Sequence, residues 1–327
     1  MEDYDSALSA PHIDPHVHCR DYNQAYKATI KSTMALARSQ GVVAVCDMPN
    51  TDPPIISREE AERRIWLARE EGVEEGYYIY MGLTSDPRQI AEAVDVSNSN
   101  PRVVGMKLYA GTSTGNLAVV GKEQQRTVYN ELARLGYEGI LAVHCEKEDM
   151  FDMHAWNPQH PSTWNSARPP VAEVESVRDQ IEMAATSGFK GTLHIPHIST
   201  PESVEVVFAA KKNMKVTSGA TPHHLALSTQ DMEGKDGILL KVNPPLRDMA
   251  RASRLRELLK AGMIDWIETD HAPHTELDKR ERYMSGIRSL DNYLNFLKGL
   301  LQDGFSADQI RALTYGNIKR TYTKITE

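Results

Sequence analysis

The 327-residue chain predicts a single (β/α)8 barrel, an α/β fold, on three observations. Short β-branched runs alternate with helical segments eight times, which is the signature of a parallel sheet wrapped by helices. No Pro-, Gly- or Ser-rich linker divides the chain, so residues 1–327 read as one barrel domain rather than two domains. His18, Asn50, Lys107, His144, His197 and Asp270 each fall within about two residues of the carboxyl end of an expected strand, the face where barrel enzymes gather their chemistry. A doubly wound sheet is the alternative with the same alternation.

Strands are expected over Ile13–His18, Val42–Met48, Tyr77–Leu83, Val103–Leu108, Ile140–His144, Thr192–His197, Lys215–Ser218 and Ile264–Thr269. Helices are expected between them at about 23–39, 57–71, 86–97, 121–135, 171–187, 200–211 and 249–261, with closing helices at about 289–302 and 306–313. Ser57-Arg58-Glu59-Glu60 and Thr200-Pro201-Glu202 set a hydroxyl cap ahead of Pro or an acid, a helix start. Gly41, Gly72, Gly136, Gly188 and Gly262 fall at or just past helix ends, where a left-handed residue is wanted. Residues 149–170, bearing Met, Trp and several Pro, read as a long loop over the barrel mouth.

Composition narrows the function. The 37 basic residues are scattered and the net charge is −8, which argues against a nucleic-acid surface. No apolar run approaches the roughly 18–20 residues that a membrane span needs. The start, Met1-Glu2-Asp3-Tyr4-Asp5, is acidic and lacks the basic-then-apolar order of a secretory signal. Cys19, Cys46 and Cys145 are an odd number that suits a reducing, cytoplasmic setting, and they read as small buried thiols.

In Ile13-Asp14-Pro15-His16-Val17-His18-Cys19-Arg20, two imidazoles spaced by two share one side of a strand, with Asp14 on the same face. That is how a rigid element offers two nitrogens to one divalent metal; two hydrogen-bonded core histidines are the plainer reading. His144 closes the apolar run Gly139–Val143 at the fifth strand's end. His197 closes Leu193-His194-Ile195-Pro196, and the odd spacing puts His194 on the opposite face, in the strand–helix layer, unless a bulge at Pro196 breaks the alternation. Asp270 ends the eighth strand, where a carboxylate binds metal with one oxygen and takes a proton with the other. Lys107 stays open on chemistry alone. Desolvation would favour a neutral amine that captures carbon dioxide as a carbamate, or the ammonium would line the mouth to meet an anionic substrate.

An ordered series carries a resemblance over nearly the whole chain: Asp-Pro-His-Val-His-Cys-Arg at 14–20, Asp-Met-Pro-Asn-Thr at 47–51, Lys-Leu-Tyr at 107–109, His-Cys-Glu at 144–146, His-Ile-Ser-Thr at 197–200, Thr-Pro-His-His-Leu at 221–225, Asn-Pro-Pro-Leu-Arg at 243–247 and Thr-Asp-His-Ala-Pro-His at 269–274. It resembles the cyclic amidohydrolases, and among them the dihydroorotase family most closely. The resemblance implies two zinc ions: one on His16, His18 and Asp270, the other on His144 and His197, with Lys107 bridging them as its carbamate. It further implies that Arg20, Asn50 and His274 bind the substrate carboxylate, that Asn243 meets the ring amide, and that backbone near Gly286 completes the pocket. Asp270 would be the catalytic base. The implied reaction is reversible hydrolysis of (S)-dihydroorotate to N-carbamoyl-L-aspartate, a step of pyrimidine (UMP) biosynthesis in the cytoplasm.

Two departures refine this. After Lys107 the segment Leu108–Thr114 lacks the Asp-Asp-Gly stretch of many bacterial dihydroorotases, which places the chain with the lysine-carbamate branch; Thr112–Thr114 reads as a mobile lid or a plain surface turn. With the first strand beginning near 13, little or no material is expected for the accessory β-sandwich that many members carry. Relatives acting on uncharged rings (dihydropyrimidinases, hydantoinases) and allantoinases are the alternative enzymes. A catalytically silent scaffold for aspartate carbamoyltransferase is the alternative of another class, and it would show lost ligands; a homo-oligomer or a complex with that enzyme also fits an active chain. His223 and His224 read as supporting the site, and His12, His154, His160 and His271 as structural or solvent-facing.

Overall fold

Eight runs rich in β-branched, aromatic and small apolar residues form parallel strands, and each pairs with the next in sequence: β1 (His12–Val17), β2 (Val42–Asp47), β3 (Tyr77–Gly82), β4 (Val103–Tyr109), β5 (Ile140–His144), β6 (Thr192–Ile195), β7 (Val216–Ala220) and β8 (Trp266–Ile267). The computed structural model describes residues 7–326; the acidic segment Met1–Asp5 lies outside the described residues. The ring closes where Val17 bridges His271 and the His18 amide donates to the His271 carbonyl at 2.9 Å. The expected (β/α)8 barrel is therefore the fold.

A helix follows each strand: α1 (Ile30–Ser39), α2 (Arg58–Glu70), α3 (Pro87–Ser99), α4 (Lys122–Arg134), α5 (Pro170–Ser187), α6 (Pro201–Ala210), α7 (Met249–Lys260) and α8 (Tyr293–Gln302). Strand alternation splits the core in two. Val45, Ile79, Met106, Val143 and Leu193 join helix residues such as Ile30, Ile65, Ile90 and Leu255 in the layer between sheet and helices. Ala44, Cys46, Tyr78, Tyr80, Ile140 and Trp266 pack with one another as a separate cluster that fills the barrel itself. The three cysteines are free and buried, and no helix among the described residues is long and apolar enough to cross a membrane.

The departures from expectation have local causes. The helix expected over 23–39 starts only at Ile30, because Arg20, Asp21 and Tyr22 take positive φ, Tyr22–Gln24 is a single 3-10 turn, and Thr29 forms a capping box with Ser32. β6 stops at Ile195, where Pro196 removes a donor and His197 turns to φ 42°. β8 keeps two residues because the chain leaves the ladder to present Glu268 and Asp270. The helix expected over 306–313 is a short α-turn, Ala307–Arg311, running into a π-turn over Ala312–Gly316. Residues 149–170 are short 3-10 turns and one α-turn, Trp164–Ala167.

Candidate active site

At the carboxyl ends of the strands, a cavity with about 370 Å³ of atom-free space is lined by His16, His18, Arg20, Asn50, Lys107, His144, His197, Asn243, Asp270 and Gly286. His16, Lys107 and His144 lie on β1, β4 and β5, the others lie in the loops that follow β1, β2, β6, β7 and β8, and all are buried. His274, from the same expected set, stands behind Arg20 instead: Arg20 Nη2 lies 3.2 Å from His274 Nε2, and Arg20 Nε donates to the Pro273 carbonyl.

The imidazoles converge on Asp270. His18 Nε2 and His16 Nε2 lie 2.9 and 3.4 Å from Asp270 Oδ1, and ligating atoms of the three residues fall within 4.8 Å of one another. The tautomer of His18 follows from its neighbour. Asn50 Nδ2 donates to the Thr114 carbonyl, so Asn50 Oδ1 is the acceptor 2.8 Å from His18 Nδ1, and in the neutral ring Nε2 would present a lone pair toward the carboxylate. A lone pair facing a carboxylate oxygen at 2.9 Å is repulsive unless a cation or proton lies between them. Across the cavity, His144 Nε2 lies 2.9 Å from Glu146 Oε2, which leaves His144 Nδ1 facing His197 Nε2 at 3.3 Å. Nδ1 of His16 and of His197 is buried without a hydrogen bond. Burial, then the positive charge of Lys107, holds His16 and His197 well below the usual imidazole range, so they stay neutral as metal coordination requires. The donor set thus fits divalent cations.

Lys107 lines the same cavity, fully buried, and its charge acts on His16 of one group and on His144 and His197 of the other. Burial pulls its ammonium down to about 8, opposed by the charges of Asp270 and Glu268. Two residues on, Tyr109 lines the same cavity; its ring centre is 5.2 Å from Lys107 Nζ, and its hydroxyl is buried without a partner.

The other wall carries a buried cation. The Arg20 guanidinium is 1% exposed and still faces the cavity. Burial and the charge of Arg20 drive the His274 imidazole far down, so it remains neutral. Gly286 takes φ 148°, and a Cβ there would come 2.7 Å from the Ala272 carbonyl, so only glycine lets this wall close. Asn243 Oδ1 is held by Trp164 Nε1 at 3.0 Å. Ser113 and Thr114 line the mouth, and Thr114 Oγ1 donates to the Ser285 carbonyl, so this stretch is part of the pocket.

Two expectations are corrected. His194 lies inside the barrel rather than in the strand–helix layer: it stacks on Trp266 at 4.6 Å and its Nε2 is 3.0 Å from Glu268 Oε2. The break at Pro196 resets the alternation, so both His194 and His197 point inward. Asp14 does not share the cavity face of His16, because the register slips between Asp14 and Val17; its carboxylate accepts from the Thr269 amide and hydroxyl instead. His223 and His224 bond to Ser289 and to Thr221 and the Pro244 carbonyl, behind the cavity wall.

Sequence reasoning passed over two buried carboxylates. Glu146 supports His144, and the charge and hydrogen bonds of Arg168 and His144 outweigh burial to hold it at about 2. Glu268 accepts from the His197 amide at 2.6 Å and from Trp266 Nε1 at 3.1 Å. Each lies two residues from a predicted ligand, so the period-two rule that found the ligands also points to them.

No protein-family model matches the chain. It is 31% identical to a dihydroorotase of Halobacterium salinarum over 313 residues, covering 93% of this chain and 69% of that protein. It is 35% identical to one of Aeropyrum pernix over 276 residues, covering 84% and 60%. A third, of Pyrobaculum aerophilum, is 31% identical over 318 residues, covering 95% and 70%. Among solved structures, an L-hydantoinase of Arthrobacter aurescens superimposes with a TM-score of 0.84 at 21% identity, covering 96% of this chain and 71% of that one. A dihydroorotase of Campylobacter jejuni gives 0.72 at 20%, covering 96% and 83%. At such identities the structural likeness speaks for the barrel alone.

Proposed function

The chain belongs to the dihydroorotase family, hydrolases of cyclic amide bonds, and from that premise we propose that it catalyses the reversible hydrolysis of (S)-dihydroorotate to N-carbamoyl-L-aspartate. The observation that carries the reading is the presence of a buried guanidinium, Arg20, in the same small cavity as the imidazole–carboxylate group of His16, His18 and Asp270. A planar fork matches the ring carboxylate of dihydroorotate, a group that dihydrouracil and hydantoin lack.

His16, His18 and Asp270 would hold one zinc ion and His144 and His197 a second, with Lys107 between them as its carbamate. When bound, the ions would supply water acidified to near neutral pH and polarisation of the attacked carbonyl. The remaining work falls to side chains. Arg20 anchors the carboxylate, braced by the Pro273 carbonyl and His274, while Asn50 and Asn243 line the sides on which the ring lies. Asp270 accepts the proton of the attacking water and delivers it to the amide nitrogen as the carbon–nitrogen bond breaks. Thr114, Ser285 and Gly286 crowd the mouth and limit bulk water.

The test is ultraviolet-monitored ring opening of dihydroorotate beside dihydrouracil, hydantoin and allantoin, on protein whose metal content has been measured. About two zinc per chain and preference for dihydroorotate are expected. Preference for an uncharged ring, or full activity without metal, overturns the proposal.

A further inference from the structure

Arg168, from the loop before α5, belongs to neither the ligand set nor the Arg20 wall, yet it joins the Glu146 carboxylate, the Thr112 backbone and the rings of Phe151 and Trp164. Its Nε donates to Glu146 Oε1 at 3.0 Å and its Nη2 donates to Glu146 Oε2, a two-pronged grip on one buried carboxylate. The same Nη2 donates to the Thr112 carbonyl at 2.7 Å. The guanidinium is fixed between Phe151 and Trp164, with ring centres at 4.4 and 5.4 Å, and the Arg168 carbonyl accepts from Arg247 Nη1. One nitrogen, Nη2, thus serves both Glu146 and Thr112.

Both ends of the 112–114 stretch are thereby tied to imidazoles of the candidate centre. At one end, Thr112 reaches His144 through Arg168 and Glu146; a carboxylate only accepts, so His144 Nε2 carries the hydrogen and Nδ1 keeps its lone pair for the cavity. At the other end, the Thr114 carbonyl reaches His18 through Asn50. Partners that fix the free nitrogen of a ligating histidine set its tautomer and ring pose, and losing one typically costs about 10–100-fold in metal affinity.

We propose that Arg168 is a positioning residue that couples the pose of His144 to the pocket wall at 112–114, so that cation binding and ordering of that wall favour each other. The inference rests on His144 being a ligand. Coupling of this kind is reciprocal.

The test uses zinc on chelator-treated full-length protein and two readouts, zinc affinity by competition with a chelator and hydrogen–deuterium exchange over 110–116. In the unaltered protein, zinc is expected to slow exchange in that segment. Arg168→Met is expected to weaken zinc binding about 10–100-fold and to abolish the exchange response. Arg168→Lys, with one ammonium for Glu146 but no second arm for Thr112, is expected to keep the greater part of the affinity and lose the exchange response. Zinc that leaves exchange over 110–116 unchanged in the unaltered protein overturns the coupling without reliance on any variant. An Arg168→Met protein that binds zinc as tightly as the parent overturns the role given to Arg168. Neither readout uses dihydroorotate, so a failed substrate assay leaves this test intact, and an active enzyme with an unresponsive wall refutes this inference alone.

Discussion

The fold does most to the chemistry of Lys107, and the size of that change can be worked out. With the ammonium held at about 8 instead of 10.5, roughly one Lys107 in ten is neutral at pH 7, against about three in ten thousand for an exposed lysine. Only the neutral amine attacks carbon dioxide, so burial raises the reactive population about 300-fold. The sign is fixed by the lowered value: the neutral fraction rises about tenfold per pH unit up to about pH 8 and then levels off. The assay strips the protein of metal and carbon dioxide at low pH, then restores zinc at pH 6, 7, 8 and 9 at fixed dissolved carbon dioxide. Bound zinc, turnover and a mass gain of one carbon dioxide are followed together. Recovery should require carbon dioxide, climb between pH 6 and 8, and flatten above. Lys107→Ala should lose one of the two ions and most activity. Recovery that ignores carbon dioxide, or is flat between pH 6 and 8, refutes the reasoning.

Three further outcomes follow from named contacts. Arg20→Met should remove about 3 kcal/mol of carboxylate binding, lowering kcat/KM on dihydroorotate more than a hundredfold while changing dihydrouracil little; equal losses on both substrates would count against carboxylate binding by Arg20. Tyr109→Phe deletes a buried hydroxyl with no partner, so stability should hold or rise by up to about 1 kcal/mol while turnover drops about tenfold, and unchanged kinetics would show that the hydroxyl never meets substrate. Arg64 Nη2 donates to Asp47 Oδ2 at 2.6 Å under α2, with Tyr77 and the Cys19 amide on the same carboxylate; Arg64→Met should cost about 3–5 kcal/mol in a melting experiment yet leave zinc stoichiometry at its original value in the folded protein.

What was legible in the sequence was whatever obeys a short period. His16 and His18, spaced by two, and the apolar run that delivers His144 both announce a strand ending in chemistry, and the cavity gathers them as expected. Asp14 and His194 fall on other faces than expected where the period breaks: the register slip after Asp14 shows only once the neighbouring strand is in place, whereas the break at Pro196 was marked by the proline itself. Glu268 was within reach of the same rule, since Trp266, Glu268 and Asp270 alternate with Ile267 of the outer layer. Arg168 was not. Its partners are about 22 and 56 positions away, and nothing in the Pro- and Trp-bearing loop before it signals a grip on Glu146 and Thr112.

The closure between β1 and β8 has a mechanical consequence. β8 pairs with β7 at two residues, and among the described residues the ladder toward β1 is one isolated bridge, Val17 to His271 just past β8. His18 and Asp270 flank that join from opposite edges, so an ion held between them acts as a rivet across the thinnest part of the staves. Metal depletion should therefore loosen the hoop there before anywhere else, and added zinc should raise the melting temperature with the logarithm of its concentration.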